Sequence, residues 1–175
     1  MAGMFQIALD AQEPLRLDPY GFQDMKYEDE DYALRCLVKE GSVGEVLDLY
    51  DETRRRINTW ANGLLECKQG NKVDFLHQTV RDLFRTGDML SYLEAKRRPD
   101  FDVYLSITKA YVAHIKSARF SDGIFRLNPP NHNSGMLIDR LIITWQHALK
   151  IAADWSDKVS ELLDELDVPL TKCFE

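Results

Sequence analysis

No phosphate-cradling loop occurs in this 175-residue chain. Neither G-x-x-x-x-G-K-[ST] nor G-x-G-x-x-G is present, and Gly41-Ser42-Val43-Gly44 lacks both the spacing and the lysine. Without such a loop the chain has no evident way to hold a nucleotide alone. A G-x-S-x-G elbow and an H-E-x-x-H pair are missing too, so no serine-hydrolase or zinc-protease motif is offered. No apolar run approaches the ~20 residues of a membrane helix, so no membrane partner is expected. The start, Met1-Ala2-Gly3-Met4-Phe5-Gln6-Ile7, has no basic lead, and Gln6 interrupts its apolar stretch, which argues against a secretory signal. Glycine does not directly follow Met1, and Cys173 is third from the end rather than fourth, which excludes the myristoylation and prenylation patterns. The expected compartment is the cytoplasm.

Cysteine is scarce. Cys36, Cys67 and Cys173 are odd in number and scattered, which argues against a disulfide framework. None has a Cys or His at metal-ligand spacing, so no metal is expected. Of the histidines, His114 reads as a half-buried packing residue, His132 as a loop residue and His147 as one on a helix flank. Acidic pairs such as Asp154/Asp157 and Glu161/Asp164/Glu165 lie on a helix of regular apolar spacing. They read as a solvated face, because acid–base work would need a cleft to perturb them.

The charge that is present is unevenly placed. The net charge is −7. Residues 1–52 hold 4 Lys/Arg against 13 Asp/Glu, a balance of −9, and residues 53–98 hold 10 against 5, a balance of +5. Such a division favours contact within the chain or with a matching partner surface. Overall acidity disfavours duplex nucleic acid, whose binding depends on neutralising phosphates. A hydrophobic share of 45% against 29% charged indicates a folded domain rather than a disordered one.

Along the chain, Met4 to about Ala11 reads as the tail of a helix with no N-cap. A helix opening at the initiator suggests a piece of something larger. Glu13 to about Gly41, with Pro14, Pro19, Gly21 and the acidic run Glu28-Asp29-Glu30-Asp31, reads as an extended connection with a short turn at Tyr32–Val38. The acidic run is expected to be solvated. Ser42 is a candidate N-cap with Glu45 completing a capping box. The helix it opens is expected to bury Val43, Val46/Leu47, Tyr50, Ile57 and Trp60, to end near Gly63, and to carry Arg54, Arg55 and Arg56 outside, within reach of Glu28–Asp31.

A hairpin follows, Leu64–Lys68 and Lys72–Leu76 around Gln69-Gly70-Asn71. Leu65/Cys67 and Val73/Phe75 face inward while Glu66/Lys68 and Lys72/Asp74 face outward. The remainder is helical. Gln78–Arg85 and Asp88–Lys96 break at Thr86-Gly87, and Phe101–Ala118 has a broad apolar face of Tyr104, Ile107, Tyr111, Ile115 and Ala118, widened by Leu105 and Val112. Ser121–Asn133 is a loop. Ser134–Asp154 buries Ile138, Leu141, Ile142, Trp145 and Leu149, and Asp157–Asp167 buries Val159, Leu162/Leu163 and Leu166. The expected fold is mainly α: a winged-helix-like segment with one short β-hairpin, about residues 64–76, packed on a C-terminal helical bundle. The expected division is a partial winged-helix-like region at 1–97 and the bundle at 98–175.

The most informative stretch is Val73-Asp74-Phe75-Leu76-His77-Gln78-Thr79-Val80-Arg81-Asp82-Leu83-Phe84. It opens with the two-residue period of a strand and continues with Leu76, Val80 and Leu83/Phe84 at helical spacing. His77 stands at the change of period, where a helix starts and free backbone N–H groups favour anions.

Met4-Phe5-Gln6-Ile7-Ala8-Leu9, Glu13-Pro14-Leu15, Arg54-Arg55-Arg56-Ile57-Asn58, Gly63-Leu64-Leu65-Glu66 and Phe75–Asp82 occur in that order. Over about residues 4–120 this series resembles the segment after the NACHT ATPase module of fungal NOD-like-receptor-type STAND proteins. That segment comprises the winged-helix end and a helical domain of unknown function. One departure is Leu83, followed by Phe84, where the family has Phe directly after the Asp. The resemblance implies a non-enzymatic regulatory or scaffold fragment that controls a nucleotide switch by intramolecular or protein–protein contact. His77 would contact the ADP phosphates, and ADP or ATP would bind only with a NACHT module supplied. The partner would be that module or another protein, with self-association through a surface left uncovered. The competing expectation is a winged-helix nucleic-acid binder using Arg54, Arg55, Arg56, Lys68, Lys72, Arg81 and Arg85.

Overall fold

The structure, a computed structural model, describes residues 2–11, 13–22, 25, 29–37, 43–99, 101–117, 143, 145–150 and 156–171. It is mainly helical with one antiparallel hairpin. In chain order the elements are α1 (Ala2–Asp10), α2 (Leu17–Phe22), α3 (Tyr32–Arg35), α4 (Val43–Trp60), β1 (Leu65–Lys68), β2 (Lys72–Phe75), α5 (Gln78–Phe84), α6 (Gly87–Lys96), α7 (Val103–Lys116), α8 (Ser156–Asp164) and α9 (Asp167–Thr171).

Helix α7 is the centre of the fold. Asp102 caps it by accepting the Leu105 N–H at 2.7 Å. From Leu105 to Lys116 every residue is buried, so the helix is enclosed on all sides rather than along one stripe. Val103, Ile107 and Tyr111 join a core with α1, the hairpin and α5. Leu105, Ala110, Val112, Ala113 and Ile115 join a second with Phe22, Tyr32, Ala33, Leu162 and Leu166. In the first core, Phe5 of α1 stacks on Phe84 of α5 at 4.6 Å, and Phe84 meets Phe75 of β2 at 5.6 Å.

The hairpin pairs Leu65 with Phe75 and Cys67 with Val73, as the alternation requires. Leu65, Val73 and Phe75 are buried. Gly70 (φ 76°) and Asn71 (φ 56°) make its turn, in a left-handed region that a Gly and an Asn enter at least cost. The other edge of β2 is covered: Val73 N–H donates to Leu15 O at 2.8 Å, and Arg16 bridges Lys72. Residues Leu15 and Arg16 therefore run extended alongside the hairpin.

Several expectations change. The stretch Glu13–Gly41 is not an extended connection throughout, because it contains α2, whereas α3 stands where a short turn was expected. Pro19 sits in the first turn of α2, where its missing N–H removes no helical bond. Leu17, Tyr20 and Phe22 are buried, so burial rather than propensity holds this six-residue helix. Gly21 permits the close approach to α4: a Cβ there would lie 3.0 Å from Thr53 Oγ1. On α4, Tyr50 and Ile57 are buried as expected, but Leu47 and Trp60 are exposed. Leu76 and Leu83 are exposed too, leaving Phe84 as the buried residue of α5.

Residues 145–148 are helical, yet Trp145 and Leu149 face solvent while His147 and Ala148 are buried. The expected capping box at Ser42, the loop at 121–133, His132 and most of the helix at 134–154 lie outside the described residues.

Candidate functional site at the β2–α5 junction

His77 is the N-cap of α5, with extended backbone at φ −144° and ψ 149°. Its Nδ1 accepts the Thr79 N–H at 3.2 Å and lies 2.9 Å from Thr79 Oγ1. A ring nitrogen that accepts a backbone N–H carries no proton, so in the neutral ring the hydrogen rests on Nε2. The side chain is exposed. The junction thus fixes one ring nitrogen and offers the other as a donor to solvent.

The strand before it is tied to the helix after it. Asp74 Oδ1 accepts the Phe75 N–H at 2.8 Å and an Arg81 N–H, and Asp74 Oδ2 accepts from Lys68 Nζ at 3.1 Å. The Arg81 guanidinium also lies 5.5 Å from the centre of the Phe75 ring. Gln78 Nε2 donates to Asp82 Oδ1 at 2.8 Å across one turn of α5. The Asp74–Arg81 pair ties β2 to α5, while the contacts to Thr79 orient the imidazole.

The expected basic residues are dispersed around the hairpin and mostly engaged. Arg54 donates to Asp51 Oδ1 and to Asn71 Oδ1, both at 3.1 Å, and so fastens the hairpin turn to α4. Arg56 approaches Glu52 at 3.9 Å, and partial burial lowers its pKa. Lys72 pairs with Glu13 at 3.3 Å. Arg55 and Arg85 are exposed.

The acidic run has partners outside the arginine trio. Asp29 and Asp31 pair with Arg35 at 2.9 and 3.6 Å, and Glu30 pairs with Lys158 at 3.2 Å. Lys109 donates to Glu30 O at 2.8 Å, and Lys116 to Ala33 O at 3.0 Å and Leu34 O at 2.9 Å. These two buried lysines, seven apart on α7, supply donors to the backbone of residues 30–34. Desolvation lowers the Lys109 pKa, an effect opposed by Glu30 and its acidic neighbours. The signal was available in the sequence: Lys109 and Lys116 interrupt a helix that is otherwise apolar nearly all round. Glu165 is likewise no solvated bystander, since it accepts from Lys116 at 2.6 Å.

His114 is buried against the Phe22 ring, edge to face at 5.9 Å. His147 is buried, donates its Nδ1–H to Ile143 O at 2.7 Å, and leaves Nε2 without a partner beside the Tyr104 ring. Desolvation lowers its pKa. Burial also raises the pKa values of Tyr20, Tyr32 and the Cys36 thiol. Among the described residues no group of three or more His, Cys, Asp or Glu is placed to hold a metal ion. No helix among them is long and apolar enough to cross a membrane.

Among known families, the profile of one described as a domain of unknown function (DUF7791) matches residues 1–123. No curated protein and no solved structure matches the chain.

Proposed function

The chain belongs to the DUF7791 family, and from that premise we propose that it is a non-enzymatic regulatory module of a fungal NACHT-type STAND ATPase. In this reading it acts in the cytosol, by protein–protein contact that controls a nucleotide switch. The observation that carries the reading is the state of His77. Its Nδ1 is committed to the backbone of α5, its Nε2–H is presented on an exposed side chain, and the contacts to Thr79 hold the ring in place. A donor held in this way is suited to a phosphate oxygen brought by another module. The ordered motifs shared with the segment after NACHT modules support the same reading.

The switch is then a shift of populations. ADP held between the ATPase module and His77 favours the closed arrangement, and nucleotide exchange releases it. The chain supplies the regulatory arm and its partner supplies the phosphate-binding loop.

The test is ADP release from the cognate NACHT module mixed with this chain. Wild type is expected to slow release, while His77→Asn, which keeps an N-cap but removes the ring donor, is expected to lose the effect. Equal retention with wild type, His77→Asn and no added chain would remove the switch from consideration. A winged-helix nucleic-acid binder has weaker support, because Arg54, Arg81, Lys68 and Lys72 already have partners within the fold. Anisotropy with a labelled duplex at low salt separates the two, since true binding weakens steeply as salt rises.

A further inference from the structure

A cleft of about 310 Å³ lies between α1 and α6, and His77 is not among the residues that line it. Ala2 and Phe5 form one wall, Met89 and Tyr92 the other, and Phe84 closes it where its ring stacks on Phe5. These surfaces are hydrocarbon and aromatic ring. One charged group lines the cleft, Lys96. Its ammonium stands 5.9 Å from the centre of the exposed Tyr92 ring, and among the described residues no carboxylate pairs with it.

Residues Met89, Tyr92 and Lys96 recur at helical spacing, so α6 presents them along one stripe. An apolar hollow with a single convergent polar group has the composition of a small-molecule site, and its volume falls at the small end of the ~300–1,000 Å³ usual for such sites. The apolar walls repay burial of a hydrocarbon body. The unpaired ammonium selects the sign of the head group, since a cation would be repelled and a neutral head would gain no ion pair. The volume excludes a two-chain lipid.

We propose that this cleft binds a small amphiphilic carboxylate, an alkyl or aryl body of medium length whose carboxylate meets Lys96 at the mouth. The occupant is a free acid rather than a polypeptide. The site is independent of the nucleotide switch and uses none of the residues assigned to it.

Decanoate and its neutral counterpart decanol are the probes, titrated into the full chain by calorimetry. Saturable binding of one decanoate per chain is expected, with a Kd on the order of 0.1–1 mM given the ligand's size. Lys96→Gln is expected to weaken decanoate about fivefold, the worth of an exposed ion pair, and to leave decanol unchanged. Ala2→Phe, which fills the hollow from a half-buried position at the start of α1, is expected to abolish both. Both variants alter residues that are at most half-buried, and far-UV circular dichroism verifies that they fold. The Met89 methyl resonance should shift on binding in wild type. The proposal is overturned by the absence of saturable decanoate binding up to ~5 mM. It is equally overturned by binding that ignores both substitutions, or by uptake of several molecules per chain.

Discussion

Lys116 and Glu165 are joined by a 2.6 Å ion pair that is almost wholly buried at the lysine end, with 3% of the Lys116 side chain exposed against 39% of Glu165. The same ammonium donates to Ala33 O and Leu34 O at the end of α3, so one cation with three acceptors fastens two other parts of the chain to α7. Removing the lysine leaves two carbonyls and a carboxylate without their donor. Lys116→Met is expected to destabilise the fold by about 2–4 kcal/mol. Glu165→Gln is expected to cost only about 0.5–1 kcal/mol, because that carboxylate retains access to water. Urea titration of both variants measures the difference, and equal costs would refute the asymmetry.

His147 makes stability depend on pH. Its pKa is lowered from the ordinary 6.5, first by desolvation and then by Lys150, against the opposing hydrogen bond to Ile143 O. The unfolded chain therefore binds a proton more readily than the folded one. Stability is complete above pH 6.5 and declines as pH falls through that value toward the lower folded pKa. Thermal melts between neutral and mildly acidic pH should show this decline, and His147→Phe should flatten it. An unchanged slope in that variant would assign the decline to other groups.

Phe84 and Leu83 are neighbours with different burdens. Phe84 is buried and stacks on Phe5, whereas Leu83 is 55% exposed. Phe84→Ala is expected to cost about 3–5 kcal/mol, as a large cavity would. Leu83→Ala should stay within ~0.5 kcal/mol. Denaturant midpoints decide the comparison, and a reversal of the two would mean that α5 is rotated about its axis.

The capping and donor roles of His77 are separable. Loss of the cap in His77→Ala is expected to cost about 1 kcal/mol. Asparagine is itself a favoured N-cap, so His77→Asn should lie within ~0.5 kcal/mol of wild type. The pair of variants distinguishes a nucleotide effect from local unfolding. If both melt alike, the Thr79 contact contributes nothing to stability.

The sequence alone determined the local elements. Period-two alternation located the hairpin and its inward residues, Gly70 and Asn71 marked its turn, and the change of period placed His77 at the start of α5. These features depend on neighbours within a few positions, which is what periodicity and turn chemistry record. The exposure of Leu47, Leu76, Leu83 and Trp145 was not legible, because an apolar residue reads as core until the packing partner's shape is known. Nor was α2 legible, since its Pro19 and Gly21 are sequence signals of a turn and only contact with α4 and α7 makes it a helix. Tertiary structure alone decided where the acidic run goes. Lys109 and Lys116 lie some 80 residues downstream of the carbonyls they serve. A buried ammonium must find oxygen wherever the fold provides it, and no local pattern can say which segment that will be.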